Sequence, residues 1–317
     1  MSTLAPLTNK IFIFGHLWMV IALITSKPLA AQEYFSLNID NDLYFMMDHY
    51  YSSGIFLQYG KQLRASDSIN NTGPKKYLLW ELGQEIYSPS LRYTSNTAVY
   101  DYPYGGWTSL KLTFQREISE RKQKQWGIQL GVTGDASGAQ WMQNTYHRLI
   151  LNLPELPWTD EVPQALHLNV FADSYKRWNL NQQLAIQSHI FGTIGTQKIS
   201  GGAALGLVLG KQTVLSKGGN VLIDQEQGDG LYFGVRLQYI VHDYMLSGSL
   251  FNDNAPFTLP INPIRSMIEV GYAIRKNDWR FAFTFFNRSP DNKVQPQEGH
   301  QYLNITLSRF FDQKTTK

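Results

Sequence analysis

The sequence predicts an all-β protein, a transmembrane antiparallel β-barrel of about twelve strands. Three observations support this prediction. The 317-residue chain is 14% aromatic and only 17% charged, whereas soluble globular proteins carry about 25% charged residues. Segments of about ten residues that alternate between apolar and polar side chains recur along most of the chain, as in barrels that cross a membrane with strands. Aromatic residues lie at the ends of many segments, where barrels have their interfacial girdles.

The composition also excludes several classes of protein. A mean hydropathy of −0.28 argues against a bundle of membrane-spanning helices. The net charge is +3 and no basic patch is visible in the sequence, so nucleic acid is not an expected partner. The chain has no cysteine, which excludes disulfides, thiol catalysis and cysteine-based zinc sites.

The first 31 residues are predicted to be a secretory signal peptide. Lys10 is followed by an apolar run over residues 11–24 and by a segment with small residues that ends at Ala31. A positive residue, a short apolar run and a small-residue exit are the parts of a cleavable signal. The run is shorter than the roughly 20 residues that a membrane-spanning helix needs, although an uncleaved anchor helix is the alternative. Residues 32–317 are therefore expected to form a single barrel domain.

Thirteen segments after the signal peptide have a period of two. They are residues 34–40, 54–63, 76–87, 106–116, 124–134, 165–175, 184–195, 199–210, 230–242, 244–252, 264–275, 279–287 and 301–310. Residues 244–252 are the weakest segment, and bacterial single-chain barrels have even strand numbers, so we predict twelve strands. A secreted sandwich or jelly roll with one wet face is the alternative. The aromatic last strand, which ends at Phe311, favours a barrel in the outer membrane of a Gram-negative cell.

Five polar stretches are too long for periplasmic turns and are predicted to be outward loops. They are residues 41–53, 88–105, 135–164, 212–228 and 288–300. Inside the third stretch, residues 138–152 have helical spacing, with Gln143 and His147 on one face and Trp141 and Ile150 on another. We predict a short amphipathic helix there, near the extracellular side, where a site can be built against the barrel wall.

A first group of candidate site residues lies at the end of the first strand. Asn41 and Asp42 lie where the strand passes into a loop, and Asp48 and Ser52 follow across that loop. Carboxylate, amide and hydroxyl oxygens are the hard ligands that Ca²⁺ prefers. The same residues also favour turns by themselves, so a solvated loop with Asx turns is the alternative.

A second group lies on the predicted helix. Gln143 and His147 are spaced i, i+4 and share a face, and a histidine can act as a general base near neutral pH while an amide orients it or a water. A structural or exposed histidine is the alternative. Asp101 begins a turn cluster that can orient a site group or serve only as a turn. No GxSxG, HExxH or Walker motif is present.

Short motifs in the first half of the chain, taken in order, resemble the lipid A 3′-O-deacylase family of Gram-negative outer membranes. They are residues 39–42 (IDND), 48–54 (DHYYSSG), 83–89 (GQEIYSP), 101–107 (DYPYGGW) and 131–138 (GVTGDASG), followed by Gln143 and His147. The motifs span about residues 37–178, and the later strands match only in pattern.

This resemblance implies a twelve-stranded barrel with its site between the barrel wall and a loop helix. It implies a Ca²⁺-dependent hydrolysis that removes the 3′-linked acyloxyacyl group of lipid A, the membrane anchor of lipopolysaccharide. In the family, the histidine that matches His147 is the general base that activates water, and the glutamine that matches Gln143 aids it. The positions that match the family at the calcium are Asn41, Asp42 and Ser52. Substrate contacts are expected at Arg92 and Asp101, and we expect a monomer.

The sequence departs from the family pattern at several positions. Tyr102 stands where many members have Arg, Gly105 where Ala is usual, and Ser52 where Thr is common, which keeps the hydroxyl. Residues 159–161, after Trp158, also differ from the family. These differences concern substrate fit rather than the chemistry.

Two other functions are alternatives. One is a non-enzymatic barrel or channel, although the predicted inward residues are bulky enough to fill a narrow lumen. The other is an outer-membrane phospholipase, which would carry a serine nucleophile and its histidine on adjacent strands, whereas the candidate His147 is predicted on a loop helix.

Overall fold

The protein is a closed barrel of twelve antiparallel strands, as the sequence predicts. A computed structural model describes residues 33–63, 74–119, 121–211, 227–296 and 299–311. The strands are β1 (Glu33–Asn41), β2 (Tyr50–Leu63), β3 (Lys76–Ser88), β4 (Gly105–Ser119), β5 (Lys122–Thr133), β6 (Ala165–Asn179), β7 (Leu184–Gly195), β8 (Lys198–Gly210), β9 (Gly228–Asp243), β10 (Ile264–Lys276), β11 (Trp279–Arg288) and β12 (His300–Phe311). Each strand pairs with its neighbours in sequence, and β1 pairs with β12 from Glu33 opposite Phe311 to Asn41 opposite Leu303. Closure leaves no strand edge unpaired, which a barrel in a membrane requires.

Among the residues that the structure describes, two short α-helices lie outside the strands. Helix α1 (Ala139–Tyr146) continues into a π-helical turn (His147–Leu151), within the predicted helical segment. Helix α2 (Tyr244–Ser247) follows β9, so residues 244–252, the weakest of the thirteen segments, are not a strand, and the prediction of twelve strands is confirmed. In the described part of the chain, no helix is both long and apolar enough to span a bilayer. The predicted signal peptide lies outside the described residues.

The long connections that the structure describes lie at one end of the barrel. They join β1 to β2, β3 to β4, β5 to β6, β9 to β10, and β11 to β12, and long loops mark the extracellular end of such barrels. Four of the five predicted outward loops are therefore confirmed. The fifth prediction, residues 212–228, is wrong about the end: residues 212–226 lie outside the described chain, but β8 and β9, which they join, meet at the periplasmic end.

The two faces of the sheet differ in chemistry. Apolar residues such as Leu130, Leu168 and Phe233 alternate outward and are exposed, whereas polar residues at the intervening positions are buried in the lumen. His167 and His189 are both lumen-facing and buried. This pattern is the inverse of a soluble protein, because lipid is the solvent of the outer face.

Charged and aromatic side chains fill much of the lumen. The Arg236 guanidinium pairs with Glu269 at 3.0 Å, and Arg265 pairs with Asp243 at 2.9 Å and with Asp291 at 3.1 Å. A cavity of about 240 Å³ remains towards the extracellular end. Bulky inward residues therefore occupy the space that a conducting channel would need, as the sequence predicts.

Candidate active site

The turn after β1 brings two carboxylates to the extracellular rim. Asp42 precedes a single 3₁₀ turn (Leu43–Phe45), and the backbone N–H of Asp42 donates to Ser52 O at 3.1 Å. Met46 and Tyr50 have φ values of 58°, in the left-handed region, which lets the chain reverse within a short loop. The reversal places Asp48 and Ser52 beside Asp42 at the start of β2.

Asp48 lies at the centre of a cluster of polar side chains from three loops. The Ser52 hydroxyl donates to Asp48 Oδ1 at 2.8 Å, and His147 Nε2 lies 3.0 Å from Asp48 Oδ2. Arg92 Nε is 3.1 Å from the same Oδ2, and Gln143 Nε2 is 3.4 Å from Oδ1. We call these five residues the Asp48 cluster. It joins the β1–β2 turn, the β3–β4 loop and the helical segment, which are far apart in sequence.

Asp42 is a buried carboxylate with one oxygen unused. Its Oδ2 accepts the backbone N–H of His49 at 3.0 Å, while Oδ1 is buried without a hydrogen-bond partner. Burial raises the pKa of Asp42 well above its usual range, and the negative charge of Asp48 raises this pKa further. Two buried carboxylates close together are electrostatically unfavourable, and a cation between them would relieve both effects.

The helical segment turns its polar face inward. Gln143 and His147 are buried, whereas Trp141 and Ile150 are 64% and 66% exposed. A helix on a soluble protein buries its apolar face, so the orientation is inverted here. The inversion brings the two predicted catalytic side chains against Asp48 and leaves an apolar surface facing outward at the membrane.

Residues 152–164 pass over the helical segment and fix its side chains. The indole N–H of Trp158 donates to Gln143 Oε1 at 3.0 Å, and Asn144 exchanges two hydrogen bonds with the backbone of Leu156. Trp158 itself stacks on Tyr104, with ring centroids 5.1 Å apart. Because an indole N–H can only donate, the atom of Gln143 that faces Trp158 must be the carbonyl oxygen. The Gln143 amide therefore presents its NH₂ group to the Asp48 cluster.

Two other predicted site residues, Asp101 and Asn41, accept hydrogen bonds from the backbone of their loops. Asp101 accepts the Tyr50 hydroxyl at 2.7 Å and the backbone N–H of Ser90 at 2.9 Å, so both carboxylate oxygens hold the loop that carries Arg92. The side-chain oxygen of Asn41 accepts the backbone N–H of Leu43 at 2.7 Å. This bond is the Asx turn that the sequence left open, and it places Asn41 next to Asp42 without a contact to the Asp48 cluster.

The sequence and the fold are similar to those of known outer-membrane proteins. The family described as outer membrane protein LpxR matches residues 17–311. The chain belongs to this family. Among solved structures, LpxR from Salmonella typhimurium is similar at a TM-score of 0.71 and 19% identity, over 88% of this chain and 100% of that chain. The translocator domain of the autotransporter NalP from Neisseria meningitidis covers 95% of both chains at a TM-score of 0.45 and 8% identity.

Membership of the LpxR family fixes the place of the protein. It is a barrel of the Gram-negative outer membrane, so its long loops and the Asp48 cluster lie at the cell surface. No curated protein matches the sequence.

Two residues beside the site were missed by sequence reasoning. Trp158 lies in the loop between the helical segment and β6, and nothing in the sequence indicates that its indole N–H contacts Gln143. His300 begins β12; its Nε2 lies 2.9 Å from Tyr51 O and 3.8 Å from Asp42 Oδ2. Only the closure of the barrel between β1 and β12 brings this histidine to Asp42, so no local signal in the sequence could have found it.

Proposed function

We propose that this protein is a calcium-dependent lipid A 3′-O-deacylase, which hydrolyses the 3′-linked acyloxyacyl ester of lipid A in the outer leaflet. Membership of the LpxR family supports the substrate class. The observation that carries the proposal is the 3.0 Å contact between His147 Nε2 and Asp48 at the extracellular rim. A buried histidine held by a carboxylate is the arrangement that general-base hydrolysis needs.

The residues at the rim fit a calcium ion. In the described parts of the chain, no three His, Cys, Asp or Glu side chains form a metal cluster, as transition metals would require. Calcium instead takes carboxylate, amide, hydroxyl and backbone oxygens together with water. Asp42 has an unused buried oxygen, and Asp48 and Ser52 lie across the same turn, so we assign these three to the ion with Asn41 beside them. A bound Ca²⁺ would supply a positive charge to the oxyanion that forms during ester hydrolysis.

His147 is the proposed base. Its Nδ1 lies 3.4 Å from the carbonyl oxygen of Pro154, and its Nε2 faces Asp48. Both neighbours are acceptors, so they stabilise the imidazolium that forms when the ring takes a proton from water. Because Nδ1 is turned towards the backbone, Nε2 is the nitrogen proposed to take this proton, from a water that enters beside its contact with Asp48.

Gln143 is proposed to act as a hydrogen-bond donor. Since Trp158 occupies its carbonyl oxygen and one N–H of its NH₂ group donates to Asp48 Oδ1, the second N–H can donate to a carbonyl oxygen of the ester or to the oxyanion that replaces it. A donor fixed before the reaction stabilises the developing charge without reorganisation. This role differs from the orienting of His147 or a water that the sequence suggested.

Replacing Trp158 by phenylalanine tests this role. Phenylalanine keeps a ring against Tyr104 but removes the indole N–H, so the Gln143 amide is free to rotate. We expect kcat to fall by about 2- to 10-fold, the effect of one hydrogen bond, with little change in KM. Trp178→Phe, at the periplasmic end, is the matched control and should leave kcat unchanged. An unaltered kcat in Trp158→Phe would show that Gln143 needs no fixed orientation.

The outward surface of the helical segment suits a lipid substrate. Trp141, Leu149 and Ile150 are exposed, and they continue the apolar outer face of the barrel at the level of the site. An acyl chain that leaves the outer leaflet can therefore follow apolar surface until its ester reaches the Asp48 cluster. Arg92 is the cation of that cluster and can approach the phosphate groups of lipid A.

The proposal predicts a change in lipid A itself. Lipid A from a Gram-negative strain that expresses the protein should contain a species lighter by the 3′-acyl chains, visible by mass spectrometry. The same strain with the empty vector should lack this species. Unchanged lipid A in cells with folded, surface-exposed protein would refute the proposed activity.

A further inference from the structure

Five cations lie on the lipid-facing surface of four neighbouring strands, close to the periplasmic end. They are Lys76 on β3, Arg116 on β4, Lys122 and Lys124 on β5, and Lys176 on β6. Strand alternation places them on the same face as the exposed residues Trp80, Leu110, Ile128 and Val170. We call this set the basic row.

The strand register aligns these charges side by side. Lys76 lies opposite Arg116, and Arg116 lies opposite Lys124. Lys122 lies opposite Lys176 one step closer to the periplasm. Neighbouring strands are about 4.8 Å apart, so the first three cations extend over about 10 Å. Like charges directly opposite each other destabilise a sheet. An external anion bound beside these cations would reduce their repulsion.

The protein itself places little negative charge beside the basic row on this face. Glu117, next to Arg116, lies on the opposite, lumen-facing side of β4 by strand alternation. Among the residues that the structure describes, none of the five cations forms an ion pair with an acidic side chain. By contrast, β7 and β8 expose no charged residue on the lipid-facing side of the described barrel. The lipid-facing positive charge is thus unevenly distributed around the described barrel, with five cations on the four neighbouring strands β3 to β6.

The depth of the basic row identifies the occupant. Lys124 is two residues from Trp126, and Lys176 is two residues from Trp178, with its ammonium 4.7 Å from the Trp178 ring. Aromatic girdles mark the level of the lipid headgroups. The long stems of lysine and arginine also reach along apolar surface and leave the charge at that level. The headgroups at the periplasmic end belong to the inner leaflet, which consists of glycerophospholipids.

We propose that the basic row binds the phosphate groups of anionic glycerophospholipids in the periplasmic leaflet of the outer membrane. The row is continuous with the lipid-facing surface of the barrel and has the opposite charge to such headgroups. Several cations within about 10 Å can contact one diphosphate lipid or two adjacent monophosphate lipids. This binding is separate from the Asp48 cluster, which lies at the other end of the barrel, and does not depend on the proposed hydrolase activity.

Lipid binding to the detergent-purified barrel tests the proposal. Native mass spectrometry should show more bound phosphatidylglycerol than phosphatidylethanolamine when both lipids are added at equal concentration. The triple variant Lys76→Gln/Arg116→Gln/Lys124→Gln should lose most of this preference. At low salt, each cation removed should lower the ratio of bound phosphatidylglycerol to bound phosphatidylethanolamine about fivefold, as expected for about 1 kcal/mol per basic residue near an anionic surface. High salt should weaken the preference of the wild-type protein in the same way.

A second triple variant is the matched control. Lys61, Lys276 and Arg309 also face lipid near the periplasmic end, but none lies opposite another cation. Replacing these three by glutamine should leave the preference unchanged. If the first triple variant does not show the heat-dependent gel shift of a folded barrel, Lys122→Gln/Lys176→Gln replaces it. The proposal is wrong if the wild-type protein has no preference for the anionic lipid, or if the control loses as much preference as the basic-row variant.

Discussion

Replacing His147 by asparagine is expected to lower the rate of 3′-deacylation by about 10²–10⁴-fold, the usual loss when a general base is removed. Asparagine keeps hydrogen-bonding capacity in the contact with Asp48 but cannot accept a proton near neutral pH. The measurement is the rate at which purified protein, in detergent with calcium, releases 3′-acyl chains from lipid A. Gln143→Ala should cost less than His147→Asn, because a donor to the oxyanion is one of several contributions to its stabilisation.

Two lumen histidines provide the controls for this result. His167 and His189 are buried on β6 and β7, and His189 pairs with Asp173 at 3.0 Å. Replacing either by asparagine should leave turnover within a few-fold, provided that the barrel keeps its heat-dependent gel shift. Full activity in His147→Asn, together with loss of activity in a folded lumen variant, would move the catalytic centre from the rim to the barrel interior.

Replacing Asp42 by alanine is expected to abolish activity and the response to calcium together. Asp42 lies outside the strands, so its removal should leave strand pairing intact. In the wild-type protein, calcium at about 100 times its Kd should stabilise the folded state by about 2.7 kcal/mol. This stabilisation should appear as a higher unfolding temperature that EDTA reverses, and the Asp42→Ala variant should show neither effect.

Asp173→Asn is the matched control for the metal prediction. Asp173 is a carboxylate of the barrel lumen, bonded to Gln125 and His189. Its replacement can lower the stability of the barrel, but calcium should still raise the unfolding temperature of this variant. Wild-type activity that survives EDTA in full would refute calcium as the cation of the site, and a calcium response in Asp42→Ala would refute the assignment of this ligand.

The features that sequence reasoning predicted well are those with a local physical cause. Apolar and polar side chains alternate along a strand between lipid and a polar lumen. Segments such as Trp126 to Val132 can therefore be recognised as strands without knowledge of their neighbours. The helical spacing of Gln143 and His147 is local in the same sense. The segment after Asp243 was the weakest of the thirteen because a few alternating residues fit both a strand and the short helix that the structure contains.

The orientation of the helical segment could not be read from its own residues. Its sequence gives a polar and an apolar face, and a soluble protein would bury the apolar one. Here the apolar face meets lipid, and the polar face is buried because Asp48 and Arg92 come from other loops to meet it. Likewise, the hydrogen bond from Trp158 that decides how Gln143 acts depends on a loop that returns over the helix.

The sequence by itself thus determined the barrel, its twelve strands, the loop helix and the residue types of the site, because each depends on side chains a few positions apart. The tertiary structure alone decided which residues meet: Asp48 with His147, His300 with Asp42, and the cations of the basic row with one another. No basic patch was visible along the chain, since Lys76, Arg116 and Lys124 become neighbours only through strand register. Register and closure are set by the pairing of whole strands, and contacts across a barrel therefore leave no signature in any single segment.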